Sequence, residues 1–240
     1  MSTFAGLQRN ALMRYGCGVA LAATFLTLGI IFYSRLTERR KAAEVGSCLR
    51  AIYLSLIDYS IHHKDFASHY LQAFPPSCVG GCESRKLSWR LVLFPYLEPG
   101  RYSPDVNKLC ELAGNEALWK SPVWVYCQES DLPHTRVFAI EGPDTAFDPQ
   151  VEFAELCESL IVLIYIEGGR VHWMDCDGGF AERYLNDRQD RSDPVRVCFA
   201  DGTIAHLRGD VPRDLLKRFT RLSTARTSPR QLLKKYELEY

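Results

Sequence analysis

The chain of 240 residues lacks net charge, since 29 lysines and arginines stand against 29 aspartates and glutamates. A nucleic-acid partner, which calls for a basic surplus, is therefore not implied. The chain also lacks the short motifs that place a reactive group: no G-x-S-x-G elbow, no P-loop and no H-E-x-x-H occurs. No cofactor is implied, and the balance favours a structural or interaction protein over an enzyme. Internal repeats and low-complexity tracts are missing too, which removes solenoids and disordered tails. The most telling absence is local, because residues 15–34 carry no charged side chain.

At about 1.5 Å per residue, that uncharged stretch reaches roughly 30 Å, the hydrocarbon thickness of a bilayer. Gly16, Gly18, Ala20, Ala22, Ala23 and Gly29 are mixed with Leu and Phe around the whole circumference. Membrane helices tolerate such a mixture better than helices of a soluble core. The flank after Ser34 reads RLTERRK and offers no small-residue cleavage site, so a retained anchor is expected instead of a cleaved signal peptide. Residues 35–44 contain neither Gly nor Pro, and beyond them Val45, Leu49, Ile52, Leu56 and Tyr59 alternate spacings of four and three. One rod of about fifty residues is predicted, crossing lipid over 15–34 and lying on an apolar partner over 35–62. Gly18, Ala22 and Gly29 form a small-residue surface that predicts self-association in the membrane.

Of nine cysteines, Cys17 falls in the anchor, leaving Cys48, Cys78, Cys82, Cys110, Cys127, Cys157, Cys176 and Cys198. They allow disulfides in too many pairings for the sequence to choose, or serve as small buried hydrophobes. Sidedness sets two arguments against each other. Arg9 and Arg14 precede the anchor while Arg35, Arg39, Arg40, Lys41 and Arg50 follow it, which by the positive-inside rule keeps the domain in the cytoplasm. The cysteine content points to an oxidising compartment. The expectation adopted is a single-pass protein of the cytoplasmic membrane with its domain on the periplasmic side.

Beyond a flank of 1–14 and the helix of 15–62, residues 63–222 have the composition of one globular domain, and 223–240 form a helical tail. Residues 78–82, CVGGC, read as a loop with a glycine turn. The run 88–98, SWRLVLFPYLE, reads as a buried helix-like turn, because Pro95 argues against a central strand. Strands are predicted over 123–127, 136–140 and 159–166. A hairpin is predicted over 195–207, turned by Asp201-Gly202 with positive φ at both positions. Asp210 and Pro212 open a helix whose apolar face holds Leu215, Leu216, Phe219 and Leu222, and Ser228-Pro229 opens a short last one. The expected class is α+β, a long N-terminal helix packed on an antiparallel sheet.

Several blocks resemble the planctomycete prepilin-like proteins, a large family of unknown function. SWRLVLFPYLE supplies Trp89, Pro95, Tyr96, Leu97 and Glu98. Tyr126-Cys127 is similar to the family's proline-x-x-tyrosine-x-cysteine element, and GPDTAF at 142–147 to its Gly-Pro-Gly-Thr-Ala-Phe turn, giving Gly142, Pro143 and Thr145. IVLIYIEGGRVHW gives Glu167 and Trp173, and VCFADGTIAHL gives the C-terminal Asp201-Gly202 tail. The family's Phe-Thr-Leu-x-Glu processing signal is absent, with alanine where the glutamate should stand, and Arg191 occupies the place of a histidine. The resemblance implies a pilin-like fold and a place in a type II secretion, pilus-like or cell-envelope assembly, with other pilin-like subunits as partners.

The competing reading is a membrane-tethered hydrolase or metal-binding domain. His62, His63 and His69 with Asp58 and Asp65 would supply ligands, although a solvated, polar helix exit is the favoured account of them. Cys78 and Cys82 lack a second close pair for zinc and are candidates for a local disulfide. Asp175-Cys176-Asp177-Gly178-Gly179 is a fragment of a calcium loop or a plain turn, and Glu167 and His172 are a conjectural pair.

Overall fold

A computed structural model of the chain describes residues 3–64, 74–75, 78–82, 85–97, 123, 125–126, 133–187 and 193–238. Within these, the side chains of residues 3–22, 63–64 and 78–87 are not described. The chain divides into two units, Met1–Glu44 and Val45–Tyr240. Helix α1 runs Thr3–Lys64, 62 residues, longer than the sequence pattern indicated. The fold is α+β with antiparallel sheets, as expected. Among the described residues no helix is long and apolar enough to cross a membrane. Part of the predicted span, residues 15–22, has no described side chains.

In the second unit, β4 (Val137–Ala139), β5 (Ile161–Ile166), β7 (Val195–Phe199) and β8 (Ile204–Leu207) form an antiparallel sheet in the order β4-β5-β7-β8. Alternation sorts its side chains between two apolar layers. Val137, Ala139, Leu163, Tyr165 and Cys198 join the cluster that holds Val45, Leu49, Ile52 and Leu56, the predicted seam of α1. Phe138, Ile164, Ile166, Val195, Val197 and Phe199 join a second cluster, built with three short helices. These are α3 (Phe180–Asn186), α4 (Arg213–Arg218) and α6 (Gln231–Lys234); α5 (Leu222–Ala225) lies between the last two in the chain. With both faces covered, β5 is buried at all six positions, which is why its sequence is a continuous apolar run. A bulge between Ile161 and Leu163 turns Val162 towards the α1 side.

Among the described residues both edges of this sheet are covered. Beyond β8, Arg208 N–H donates to the Tyr236 carbonyl at 2.8 Å and Leu238 N–H to the His206 carbonyl at 2.7 Å, so the tail continues the ladder. Beyond β4, no strand pairs among the described residues; a buried ion pair takes the Val137 carbonyl and the Ala139 N–H.

Two predicted elements differ. The hairpin of 195–207 is present, but only Gly202 has positive φ, at +79°. Gly202 N–H donates to the Phe199 carbonyl at 2.9 Å and Phe199 N–H to the Thr203 carbonyl at 2.9 Å, a three-residue loop of a turn followed by a left-handed glycine. The helix expected through Leu222 breaks after Arg218, because Phe219 O accepts the Ile161 N–H at 2.6 Å and Asp144 caps the restarted helix at Leu222 and Ser223. Asp210 pairs with Arg208 and caps nothing, since Pro212 occupies the N-cap.

Further corrections concern the loops. Residues 78–82 form β1 (Cys78–Cys82), paired with β2 (Arg85–Ser88) around a bulge, where a loop was expected. Within 123–127, Tyr126 N–H donates to the Val123 carbonyl at 2.8 Å, a turn in place of the predicted strand. The helix-like reading of 88–98 holds as α2 (Arg90–Leu97), with Pro95 inside it. A small second ladder joins β3 (His134–Thr135) to β6 (Val171–His172).

Candidate functional site

Among the described residues a dense polar arrangement surrounds Arg90, a guanidinium with no exposure in the apolar start of α2. A charge so buried needs a partner, and Asp177, equally buried, lies 2.5 Å away. Arg90 also donates to Ser88 Oγ at 2.8 Å and to the Val137 carbonyl. Asp177 accepts from Ala139 N–H at 3.0 Å and Trp89 Nε1 at 3.2 Å. Val137 and Ala139 face outward from β4 at alternate positions, so the ion pair satisfies backbone groups that a further strand would otherwise engage.

Glu141 follows β4 and reaches the same region. Its Oε2 accepts Gly179 N–H at 3.3 Å, while its Oε1 is buried without a hydrogen bond. Burial, with Asp177 and Glu182 adding repulsion, pushes the carboxyl up to about 7 from 4.5. Glu182 is paired with Arg221, which also donates to the Pro143 carbonyl at 2.5 Å. Gly142, at φ +101°, lies under that pair; a Cβ there would stand 3.1 Å from Arg221 Nη1.

Most residues singled out by resemblance act as fold determinants. Trp89 packs on Phe147 and Tyr126 at centroid distances of 5.5 and 6.2 Å, and Trp173 stacks on Tyr126 and Phe94 at 6.0 and 6.2 Å. Tyr96 meets Tyr59 edge-on at 6.2 Å, tying α2 to α1, while Pro95 and Leu97 are partly buried. Thr145 Oγ1 donates to the Gly142 carbonyl at 2.8 Å, closing the turn that begins at Pro143. Glu167 pairs with Arg136 at 2.8 Å and Arg196 at 3.3 Å. Glu98 and Cys127 lie outside the described residues.

The Asp201-Gly202 turn is clamped from two sides. Arg230 grips both Asp201 oxygens at 3.0 and 3.1 Å. Tyr53, from α1, donates to the Ala200 carbonyl at 2.5 Å, and its ring lies so close that a Cβ on Gly202 would stand 2.7 Å from Cε1. Burial pushes the Tyr53 phenol up to about 12.

The competing chemistry gains little. Among the described residues no group of three or more His, Cys, Asp or Glu is arranged to hold a metal. His62 shares a hydrogen bond with the Asp58 carbonyl at 2.7 Å and leans on Tyr96; His69 and Asp65 lie outside the described residues. Gly178 and Gly179, at φ +55° and +70°, form a turn in which Asp177 already serves Arg90. Glu167, conjecturally paired with His172, is engaged by two arginines.

Cys176 is disulfide-bonded, whereas Cys157 and Cys198 carry free thiols. Burial pushes the Cys198 thiol up to about 12, which makes it a poor nucleophile. Cys78 and Cys82 stand at opposite ends of an extended strand. Their side chains lie outside the described residues, and so does the disulfide expected between them.

The Arg90–Asp177 pair and Glu141 were not anticipated from the sequence. The one signal was Arg90 itself, a lone charge in an apolar run. Searches against protein-family models, curated proteins and solved structures each returned no match.

Proposed function

We propose that this is a single-pass, membrane-anchored structural or interaction protein of pseudopilin-like architecture, its anchor at residues 15–34 in the cytoplasmic membrane and its domain on the periplasmic side. One observation carries the reading. On α1, Phe25, Leu26, Leu28, Ile30, Ile31, Phe32 and Tyr33 are 48–73% exposed, at successive positions that cover every side of the helix. Such a surface is costly in water and at home in lipid or among like helices. Within the anchor Thr27 folds its hydroxyl back onto the Ala23 carbonyl at 2.8 Å, the usual way to satisfy a hydroxyl where water is scarce.

The disulfide at Cys176 supports the periplasmic side over the positive-inside count. The pseudopilin-like assembly rests on the resemblance together with a long N-terminal helix seated on an antiparallel sheet. The test is labelling of whole cells with a membrane-impermeant maleimide, read by mass spectrometry, after confirming that the protein resists carbonate extraction. Cys157, partly exposed, is expected to label directly and Cys176 only after reduction. Labelling confined to lysed cells would place the domain in the cytoplasm, and release by carbonate would remove the anchor.

A further inference from the structure

Among the described residues, Glu141 is the carboxylate of its cluster that has no ion-pair partner of its own. Asp177 beside it is neutralised by Arg90, and Glu182 on α3 by Arg221. Among the described residues, the charged groups that act on it are Arg90 from α2, Asp177 from the 175–179 turn and Glu182 from α3, the last paired with Arg221. Among the described residues its Oε1 has no hydrogen bond, and its Oε2 is held by the N–H of Gly179, the residue that opens α3. An ionised carboxylate here is a third negative group packed against two others.

We propose that Glu141 is a proton-controlled latch on α3: with its carboxyl protonated the Gly178-Gly179 turn and α3 close on the sheet, and with it ionised they loosen. The geometry supplies the moving part. Glycines at positive φ on both sides of the contact, φ +55° and +70°, give the turn freedom to swing. Helix α3 has seven residues and holds to the sheet through Ala181, Tyr184 and Leu185 against the layer of Phe138 and Ile140. Loosening it uncovers that apolar face. Burial and the Asp177 charge raise this carboxyl into the acid-to-neutral range, so the latch responds where an extracytoplasmic compartment follows its surroundings. The pH range it would meet rests on the periplasmic reading proposed above, whereas the latch itself depends neither on the anchor nor on any assembly.

Because the closed form holds the proton more tightly than the open form, opening grows as pH rises from about 4.5 to about 7 and is level above that. The experiment is hydrogen exchange by mass spectrometry on the full chain, corrected for intrinsic rates, over peptides spanning residues 176–187. Between pH 5 and pH 8, corrected exchange in this segment should rise on the order of tenfold, with β5 and β7 unchanged. Glu141→Gln should abolish the difference and keep the segment protected at both pH values. Carbon-13 NMR of the Glu141 carboxyl in the unmodified chain gives a second reading, with titration expected well above that of an exposed glutamate. Exchange that does not change with pH, a pH dependence surviving in Glu141→Gln, or an ordinary glutamate titration would each overturn the latch.

Discussion

Replacing Asp177 by alanine should be among the most damaging single substitutions in the described part of the domain. The change strands the Arg90 guanidinium without its carboxylate at zero exposure, and removes the acceptor for Ala139 N–H and Trp89 Nε1. Breaking one side of a buried pair costs about 3–5 kcal/mol. Asp177→Asn keeps an acceptor and loses the charge, so about 1.5–3 kcal/mol is expected. The double variant Arg90→Met, Asp177→Leu separates two explanations. If the pair only neutralised itself, an apolar replacement of similar volume would return stability to near that of the unmodified chain. Because the pair also serves the Val137 carbonyl and the Ala139 N–H, the double variant leaves two buried backbone groups unmet at about 1–3 kcal/mol each. The assay is urea unfolding of the full chain in detergent, read as a shift in midpoint at constant slope. An Asp177→Ala cost below about 1 kcal/mol, or full recovery in the double variant, would refute the edge-capping argument.

Four further outcomes follow from the same geometry. Gly202→Ala meets both a φ of +79° and the Tyr53 ring, and should cost about 2–3 kcal/mol by urea midpoint, whereas Tyr53→Phe, which removes the bond to Ala200, should cost about 1 kcal/mol. Leu49→Ala, at zero exposure, should cost about 2–5 kcal/mol while Leu54→Ala, at 55%, stays within about 0.5 kcal/mol, which the same titration ranks. Folding raises the Glu141 pKa, so its contribution is complete below about 4.5 and lost as pH rises to about 7; at full weight the shift is worth about 3 kcal/mol, reduced to about 1 kcal/mol by solvent screening. Calorimetry should show that slope flattened in Glu141→Gln. Reduction of the Cys176 disulfide should lower stability by about 2–4 kcal/mol, visible as a drop in Tm with reductant.

What could be read in the sequence was what repeats locally. The α1 seam was visible because helical spacing places Val45, Leu49, Ile52 and Leu56 on one stripe, and each is at most 1% exposed. The run of β5 was visible because a strand covered on both faces has no polar positions to interrupt it. Asp201-Gly202 marked the hairpin, but the turn type depended on ladder hydrogen bonds that the dipeptide does not encode. Val125 and Tyr126 read as strand because their segment alternates and is β-rich, yet they lie in a turn whose Tyr126 packs on Trp89 and Trp173. Helix α3 offers one apolar triplet, Ala181, Tyr184 and Leu185, too short to form a period. Arg90 and Asp177 are 87 positions apart, and no local rule joins two residues at that distance.

The closed edges of the main sheet bear on how this chain meets others. A partner that adds a strand needs a free row of N–H and C=O groups. At β8 that row is taken by residues 236–238, themselves held by buried Leu233 and by Arg230 on Asp201. At β4 it is taken by charges that an incoming strand would have to separate, leaving each ion buried alone. The faces are equally occupied, by the α1 seam on one side and the α3, α4 and α6 layer on the other. Among the described residues, large exposed apolar side chains fall almost wholly on α1, with Leu54 and Ile61 one heptad apart in the second unit and the run from Phe25 to Leu36 in the first; Leu232 alone lies elsewhere. The exposed apolar positions of α1 are the expected contacts of any association, so substitutions at Leu54 and Ile61 should change oligomeric state in detergent without changing the unfolding midpoint, whereas substitutions at Val137 or His206 should do the reverse.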